Sequence, residues 1–463
     1  MPATLPTPTK SKFRRTISCL GDSLTDNMTL GNLGSEFWPS LLQKYLTEDA
    51  PITDGLAQQP GPQVNCKARN FGQSGNTSGP LPVATAVCNT VTDSQHATFT
   101  SVNGTFKAGQ TVLINGVMNQ LNTYSGGAAV FYYPLPGSIT SGNNYTVYGV
   151  SDFGADNITR LNLMLGNKTP KALDLLFQFG APEWDPPDIA AIWIGVNDPT
   201  TGSGRVAITG FNLNTTIKTA PSLSAAQWPA PAPGGTTLIP LQTGQGANAV
   251  IGQAVTIVDW TKSTPQVWVG LICNVVGDTI YVSQNTHAIH YNFSNWESYF
   301  AGTAGCQNPL PGPGFPPVGA SVYQGTEANI IGNVLMLLLY GGTSKFLILN
   351  AQYLNYAGGD TLATPYATYA TLRTYQAAAV TLLQSKSITG AVLVDLYTYM
   401  RNLIANGSTF SYRQTLYTAV AADNAWHSVT TNQHLNPLGN SIVAMAALAA
   451  IQAQSGWLDA LRA

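Results

Sequence analysis

The stretch TISCLGDS at residues 16–23 joins a short apolar strand to a glycine turn. Beyond this turn, apolar residues recur at helical spacing at Phe37, Leu41, Leu42, Tyr45 and Leu46. Ser35 precedes them and is the predicted N-cap of this helix. Residues 16–46 therefore predict a strand, a turn and a helix, which is the first unit of an α/β fold.

The same alternation continues along the chain. Short β-like runs predict strands at residues 67–72, 188–195, 345–350 and 388–396. Apolar periodicity predicts helices over 327–340, from Pro365 at position N1 to about Gln384, and over 437–453. Strands that alternate with helices indicate an α/β protein built on a doubly wound parallel sheet.

Two stretches interrupt this alternation, at residues 85–160 and 200–322. Both are rich in Gly, Thr, Asn and Pro, with short β-like runs and little helical period. Because each lies between predicted core elements, we expect two β-rich inserted domains. The α/β core is then divided among residues 14–84, 161–199 and 323–455.

Composition limits the possible partners. Charged residues make up 9% of the 463 residues, far below the roughly 25% of ordinary soluble domains. The net charge of −2 gives no basic field for a nucleic-acid backbone, so we expect no nucleic-acid partner. The apolar run at 333–340 is too short to span a bilayer, so we expect no membrane span.

The neutral, polar composition is typical of secreted proteins and virion parts. The N-terminal stretch MPATLPTPTKSKFRR has no apolar segment of a secretory signal. We therefore expect an extracellular or virion-associated protein that loses a leader or leaves its host by another route, such as phage lysis.

Five cysteines allow two interpretations. Cys66–Cys88 and Cys273–Cys306 are possible disulfides in an oxidising compartment. Burial of the same side chains as small apolar groups fits the sequence at least as well. No CxxC motif occurs, and we predict no metal site.

Four short polar elements carry the chemistry. The first is Gly21-Asp22-Ser23, and the second is the stretch NFGQSGNT at residues 70–77. The third is the stretch GVND at 195–198, and the fourth is HLNPLGN at 434–440, before the last helix. The first three follow predicted strands, and open α/β sheets place their sites at the carboxyl ends of their strands.

In this order, the four elements resemble the four blocks of the SGNH/GDSL hydrolases, a family of serine esterases. The resemblance covers the predicted core but neither insert, and it implies an SGNH hydrolase-like, flavodoxin-like sheet. The residues of the family name correspond to Ser23, Gly75, Asn197 and His434. The resemblance implies that Ser23 attacks an ester carbonyl and that His434 is its base. It also implies that the Ser23 and Gly75 N–H groups and the Asn197 amide bind the oxyanion, and that no metal or organic cofactor takes part.

One position departs from the family pattern. The family usually has an aspartate three residues before the catalytic histidine, where this chain has Thr431. Asp423 is the nearest upstream acid and is the candidate third member of the triad; otherwise a backbone carbonyl orients a Ser–His dyad. The competing register uses His427, but only His434 begins an HxNxxG pattern that leads into a helix.

The predicted function is removal of O-acetyl groups from a polysaccharide, so the expected partner is an acetylated carbohydrate or another small ester. Aromatic residues crowd the second insert, and we predict Trp296 and Tyr299 as substrate-binding residues; the alternative is that these rings form the core of the insert. Asp22 and Asp198 are interpreted as braces of their loops. Two other functions remain open, a lipase or general carboxylesterase and a catalytically silent glycan-binding or structural protein.

Overall fold

The computed structural model describes residues 15–26, 36–51, 58–72, 77–131, 134–150, 187–223, 236–283, 315–341, 343–413, 415–421, 425–427 and 433–462. The strands are β1 Arg15–Gly21, β2 Asp49–Pro51, β3 Gln58–Pro60, β4 Cys66–Gly72, β5 Pro82–Val91, β6 His96–Gly104, β7 Thr111–Ile114, β8 Val117–Ser125, β9 Ala128–Phe131, β10 Tyr145–Val150, β11 Ile189–Trp193, β12 Leu213–Thr216, β13 Ser222–Leu223, β14 Thr236–Pro240, β15 Ala254–Asp259, β16 Gln266–Val276, β17 Thr279–Ser283, β18 Ser321–Gln324, β19 Phe346–Leu349, β20 Ala391–Val394, β21 Thr409–Tyr412 and β22 Thr415–Thr418. The helices are α1 Trp38–Thr47, α2 Thr326–Gly341, α3 Ala367–Ser385, α4 Leu396–Ala405, α5 Pro437–Ala453 and α6 Trp457–Arg462, with a 3-10 turn at Gly246–Asn248.

A parallel sheet forms the centre of the molecule. Its five strands lie in the order β20-β19-β11-β1-β4, and each adjacent pair is parallel. Numbered by their succession along the chain, the strands read 5-4-3-1-2, which is a doubly wound order. The prediction of an α/β fold with a parallel sheet is confirmed.

Side chains that alternate along the strands pack into two cores, one on each face of the sheet. In β11, Ile189, Ala191 and Trp193 pack into one core, which α1, α4, α5 and α6 cover. Ala190 and Ile192 point to the other face and join a core with α2 and α3. Because helices bury both faces, the central strands β11 and β19 consist of apolar residues.

Two antiparallel units accompany the parallel sheet. Strands β5 to β10 close into a barrel in the order β10-β5-β6-β9-β8-β7, and β10 pairs with both β5 and β7. Strands β12 to β18 form a seven-stranded sheet in the order β12-β18-β15-β16-β17-β14-β13. The β-rich content of residues 82–150 and 213–324 is thus antiparallel, and the predicted domain boundaries stay predictions.

Two predicted helix starts were wrong. Phe37, with an extended backbone, is the N-cap of α1, and Pro39 lies in the first turn; Ser35, the predicted cap, lies outside the described residues. Helix α3 begins at Ala367 rather than at Pro365. The reason is that the Asp360 carboxylate accepts the Tyr366 backbone N–H at 2.7 Å, which holds Tyr366 in an extended conformation as the N-cap.

The cysteines in the described residues are buried thiols. Cys19, Cys66, Cys88 and Cys273 are thiols outside any disulfide, so the possible Cys66–Cys88 disulfide is not formed. Cys306 lies outside the described residues, and Cys273 packs between the barrel and the seven-stranded sheet. Within the described ranges, no helix is both long and apolar enough to cross a membrane.

Candidate active site

The register of the parallel sheet brings three of the predicted elements to one edge. Gly21, the last residue of β1, pairs with Gly72 at the end of β4 and with Trp193 at the end of β11. The chain segments that follow these strands therefore start level with one another at the carboxyl edge. This is the edge at which open α/β sheets place their ligands.

A tight turn presents Ser23 at this edge. The Asp22 carbonyl accepts the N–H groups of Thr25 and Asp26 at 3.0 and 2.9 Å, and the Asp22 carboxylate accepts the Leu24 N–H at 2.9 Å. Gly21 is required because a Cβ there would lie 2.1 Å from the Thr25 Oγ1 and 2.6 Å from the Trp193 carbonyl oxygen. Asp22 therefore braces the turn, as the sequence interpretation expected.

His434 lies against this serine. Its Nε2 is 2.8 Å from the Ser23 Oγ, and the two residues are 411 positions apart in the chain. Burial lowers the pKa of the imidazole below its ordinary value of 6.5. A neutral imidazole at hydrogen-bond distance from a hydroxyl is the arrangement that a general base needs in order to take the proton of a nucleophile.

The segment around His434 is fixed by its neighbours. Asn436 is the N-cap of α5, where its side chain accepts the Gly439 N–H at 3.0 Å, and its amide donates to the Ala425 carbonyl at 2.5 Å. On the other side of the histidine, the Gln352 amide donates to the Gln433 carbonyl at 2.8 Å. The imidazole is thus carried by a backbone that is held on both sides.

His427 has a different environment. It is 3% exposed, and its Nε2 accepts the backbone N–H of Asn355 at 3.0 Å. The ring of Tyr356 meets it edge-on at a centroid distance of 5.2 Å. Because Nε2 acts as an acceptor within the protein, His427 supports the loop after β19, whereas His434 faces the serine.

The third element follows β11. Gly195 has φ +116°, a backbone conformation that favours glycine, and Asn197 follows it in the same turn. The next residue, Asp198, is buried, and its carboxylate accepts the Ser78 N–H at 2.6 Å, the Ser78 hydroxyl at 2.5 Å and the Thr326 hydroxyl at 2.7 Å. Asp198 therefore ties the Asn197 turn to the chain after β4 and to the start of α2.

A cavity of about 220 Å³ adjoins the same turn. It lies between the segment that follows Asn197 and the first half of α3. Its walls combine apolar groups with threonine hydroxyls, and they include Pro199, Ile208, Thr326, Thr371, Leu372 and Tyr375.

Several predicted site residues fall outside the described part of the chain. These are Gly75, Asp423, Trp296 and Tyr299. The structure therefore brings together Ser23 and His434 and places Asn197 at the same sheet edge, while the third triad member and the second oxyanion N–H stay predictions. In the residues that are described, no group of three or more His, Cys, Asp or Glu side chains is arranged to hold a metal ion.

Sequence reasoning missed the buried polar residues that brace the site. Arg373 makes a bidentate ion pair with Asp360 at 3.0 and 2.7 Å and donates to the Gln352 carbonyl at 2.7 Å. The Gln376 amide donates to the Ile194 carbonyl at 2.8 Å. Only 9% of the residues are charged, so an arginine inside an amphipathic helix was the one sequence feature that pointed to a buried ion pair.

Comparisons with known proteins give little further information. No family model matches the chain, and no curated protein matches it. One solved structure that matches is described as "Peptidoglycan O-acetylesterase in action, 5 min", with 10% identity, a TM-score of 0.28, and coverage of 95% of this chain and 91% of that chain. A TM-score this low does not establish a common fold.

Proposed function

We propose that the protein is a serine carboxylic-ester hydrolase of the SGNH type, with Ser23 as nucleophile and His434 as base. The observation that carries this proposal is the 2.8 Å contact between the Ser23 Oγ and the His434 Nε2 at the carboxyl edge of a parallel sheet. The strand order of that sheet and the succession of the four sequence elements support the same assignment.

In the first half of the reaction, the Ser23 Oγ attacks the ester carbonyl as its proton passes to the His434 Nε2. The carbonyl oxygen gains the negative charge of a tetrahedral intermediate. His434 then gives the proton to the leaving alcohol, and the acyl group remains on Ser23. The lowered pKa of His434 favours the neutral form that begins this sequence.

In the second half, His434 takes a proton from water, and the resulting hydroxide attacks the acyl-enzyme. The acid leaves when Ser23 regains its proton. The proposed oxyanion donors are the Ser23 N–H, the Gly75 N–H and the Asn197 side-chain amide. Either Asp423 or a backbone carbonyl orients the imidazole in this scheme.

We propose an acetylated polysaccharide as the substrate and an extracellular or virion-associated location. The support is the neutral polar composition together with the position of the barrel. The segment that follows Asn197 contacts the barrel, where the Val206 N–H donates to the Pro82 carbonyl at 3.0 Å. In this proposal the barrel, which contacts the segment after Asn197, is a wall along which a polymer chain lies.

The decisive experiment is turnover of p-nitrophenyl acetate by the wild-type protein and by Ser23→Ala, with labelling by a fluorophosphonate as a second readout. We expect both signals to disappear in Ser23→Ala. Ser18→Ala is a matched control because Ser18 is a buried serine of β1, the strand that leads into the Ser23 turn, and it should retain both. Turnover by a folded Ser23→Ala protein would refute the mechanism.

The substrate class needs a separate measurement. We expect acetate release from a panel of acetylated polysaccharides, and faster turnover of acetyl than of long-chain p-nitrophenyl esters. Trp296→Ala combined with Tyr299→Ala should reduce release from the polymer at least about tenfold but change small-ester turnover only a few-fold, if these rings stack on sugars. A preference for long-chain esters would instead identify a lipase.

A further inference from the structure

One arginine joins the proposed oxyanion loop to the barrel. The Arg205 Nη2 donates to the Asn197 backbone carbonyl at 2.8 Å, and its Nε donates to the Thr200 carbonyl at 2.8 Å. A planar guanidinium thus binds two carbonyl groups of the turn that carries Asn197. Such a fork fixes the relative orientation of its acceptors, which a single ammonium group does not.

The segment just before Arg205 is held against the barrel. The Ser203 hydroxyl donates to the Asn103 side-chain oxygen at 2.5 Å. Gly204 has φ +72°, and a Cβ there would lie 2.4 Å from the Asn103 carbonyl oxygen. Because Gly204 packs this closely on β6, the arginine starts from a fixed base.

The other side of the Asn197 turn is already anchored to the core. The Asp198 carboxylate binds Ser78 and Thr326, and the Asp198 carbonyl accepts the Ile208 N–H at 3.0 Å. Backbone bonds within the turn also involve this peptide, because the Asp198 N–H donates to the Gly195 carbonyl at 3.0 Å and the Thr200 N–H donates to the Asn197 carbonyl at 3.3 Å. Arg205 adds a charged side-chain donor to the Asn197 carbonyl at the shorter distance of 2.8 Å.

We propose that Arg205 is a positioning residue for catalysis, which orients Asn197 so that its side-chain amide meets the oxyanion. The role rests on the proposed function. In this role the barrel contributes to catalysis indirectly, because it supplies the surface from which Arg205 reaches the turn. Neither Arg205 nor the barrel contacts the reacting atoms in this role.

The test is a double-mutant cycle with p-nitrophenyl acetate. In the wild-type background, Arg205→Ala should lower kcat by about tenfold to a hundredfold and change KM less than about threefold, because misplacement of an oxyanion donor acts on the transition state. In the Asn197→Ala background, the same change should lower kcat by less than about twofold, because no amide remains to be oriented.

Two further variants keep the test decisive. Arg205→Lys keeps the charge but loses the fork, so its kcat should lie between those of Arg205→Ala and the wild type; if Arg205→Ala does not fold, the cycle is run with Arg205→Lys. Arg401→Ala is the matched control, because Arg401 also donates through Nε and Nη2 to a loop carbonyl, that of Leu362, and it should leave kcat unchanged.

The outcomes separate this role from the proposed function. If the wild-type protein is active and its Arg205 variants have normal kcat, the positioning role is wrong and the esterase assignment stands. The same conclusion follows if the Arg205 variants lose as much activity in the Asn197→Ala background as in the wild type. A wild-type protein without Ser23-dependent turnover overturns both.

Discussion

Replacement of His427 by Ala is expected to weaken the fold but spare catalysis, whereas His434→Ala should do the opposite. The Asn355 N–H loses its imidazole acceptor in His427→Ala, which costs about 1–3 kcal/mol for a buried donor. Removal of the ring beside Tyr356 leaves a cavity and adds about 1 kcal/mol. The sum of these two effects should lower the free energy of unfolding by about 2–4 kcal/mol.

His434 is only half-buried, and its ring faces the Ser23 hydroxyl. His434→Ala should change the free energy of unfolding by less than about 1 kcal/mol. It should lower kcat for p-nitrophenyl acetate by about 10³-fold or more, because the hydroxyl loses its proton acceptor. Urea unfolding followed by tryptophan fluorescence and steady-state kinetics on the same preparations measure both effects.

A third variant sharpens the comparison. His427→Gln places an amide oxygen close to the position of the Nε2, so it should recover part of the stability that His427→Ala loses. Kinetics are measured at a temperature at which His427→Ala is folded. A folded but inactive His427→Ala, together with an active His434→Ala, would show that the proton acceptor is His427 and that the assignment from the geometry is wrong.

Three further predictions follow from buried ionisable groups. First, kcat/KM should rise with pH as His434 loses its proton, with a midpoint below 6.5 because burial lowers the pKa of the imidazole; a pH–rate profile with a midpoint above 6.5 contradicts this. Second, Asp198→Asn should lose about 2–4 kcal/mol in urea unfolding, since the neutral side chain cannot accept all the hydrogen bonds from Ser78 and Thr326. The same change at the partly exposed Asp278, which accepts two backbone N–H groups, should lose less. Third, burial raises the pKa of Glu327 to about 7, so the folded state holds this proton more tightly than the unfolded chain. Stability should fall by about 2 kcal/mol as pH rises from 5 to 8; Glu327→Gln should remove that slope, and an unchanged slope would exclude Glu327 as its source.

The sequence predicted those features that depend on local pattern. Helix α5 has the predicted bounds, 437–453, because Pro437 and the alanine-rich apolar run mark its start and its length. All five strands of the parallel sheet overlap the predicted stretches, although β20 begins at Ala391 rather than at 388 and β11 ends at Trp193 rather than at 195. Burial on both faces explains the unbroken apolar runs of β11 and β19. The approach of His434 to Ser23 followed from the family pattern, although neither local segment contains that information.

The features that sequence reasoning missed depend on distant partners. The start of α3 is displaced because Asp360, held by Arg373, binds the Tyr366 N–H. Arg205 reaches the Asn197 carbonyl from a segment in which Gly204 adopts positive φ against the barrel. Closure of the barrel requires β10 to pair with both β5 and β7, and alternation along single strands does not specify which strands become neighbours.

Helix α3 explains how a site assembled from such distant segments keeps its geometry. The Gln376 side chain donates to the Ile194 carbonyl, just before the Asn197 turn, and accepts the Ala351 N–H at 2.9 Å. One turn earlier, Arg373 holds the Gln352 carbonyl, and the Gln352 amide in turn holds the backbone beside His434. A single core helix therefore braces both the proposed oxyanion side and the base side of the site through buried side chains. Because these braces lie in the core, neither the barrel nor the seven-stranded sheet contributes to them.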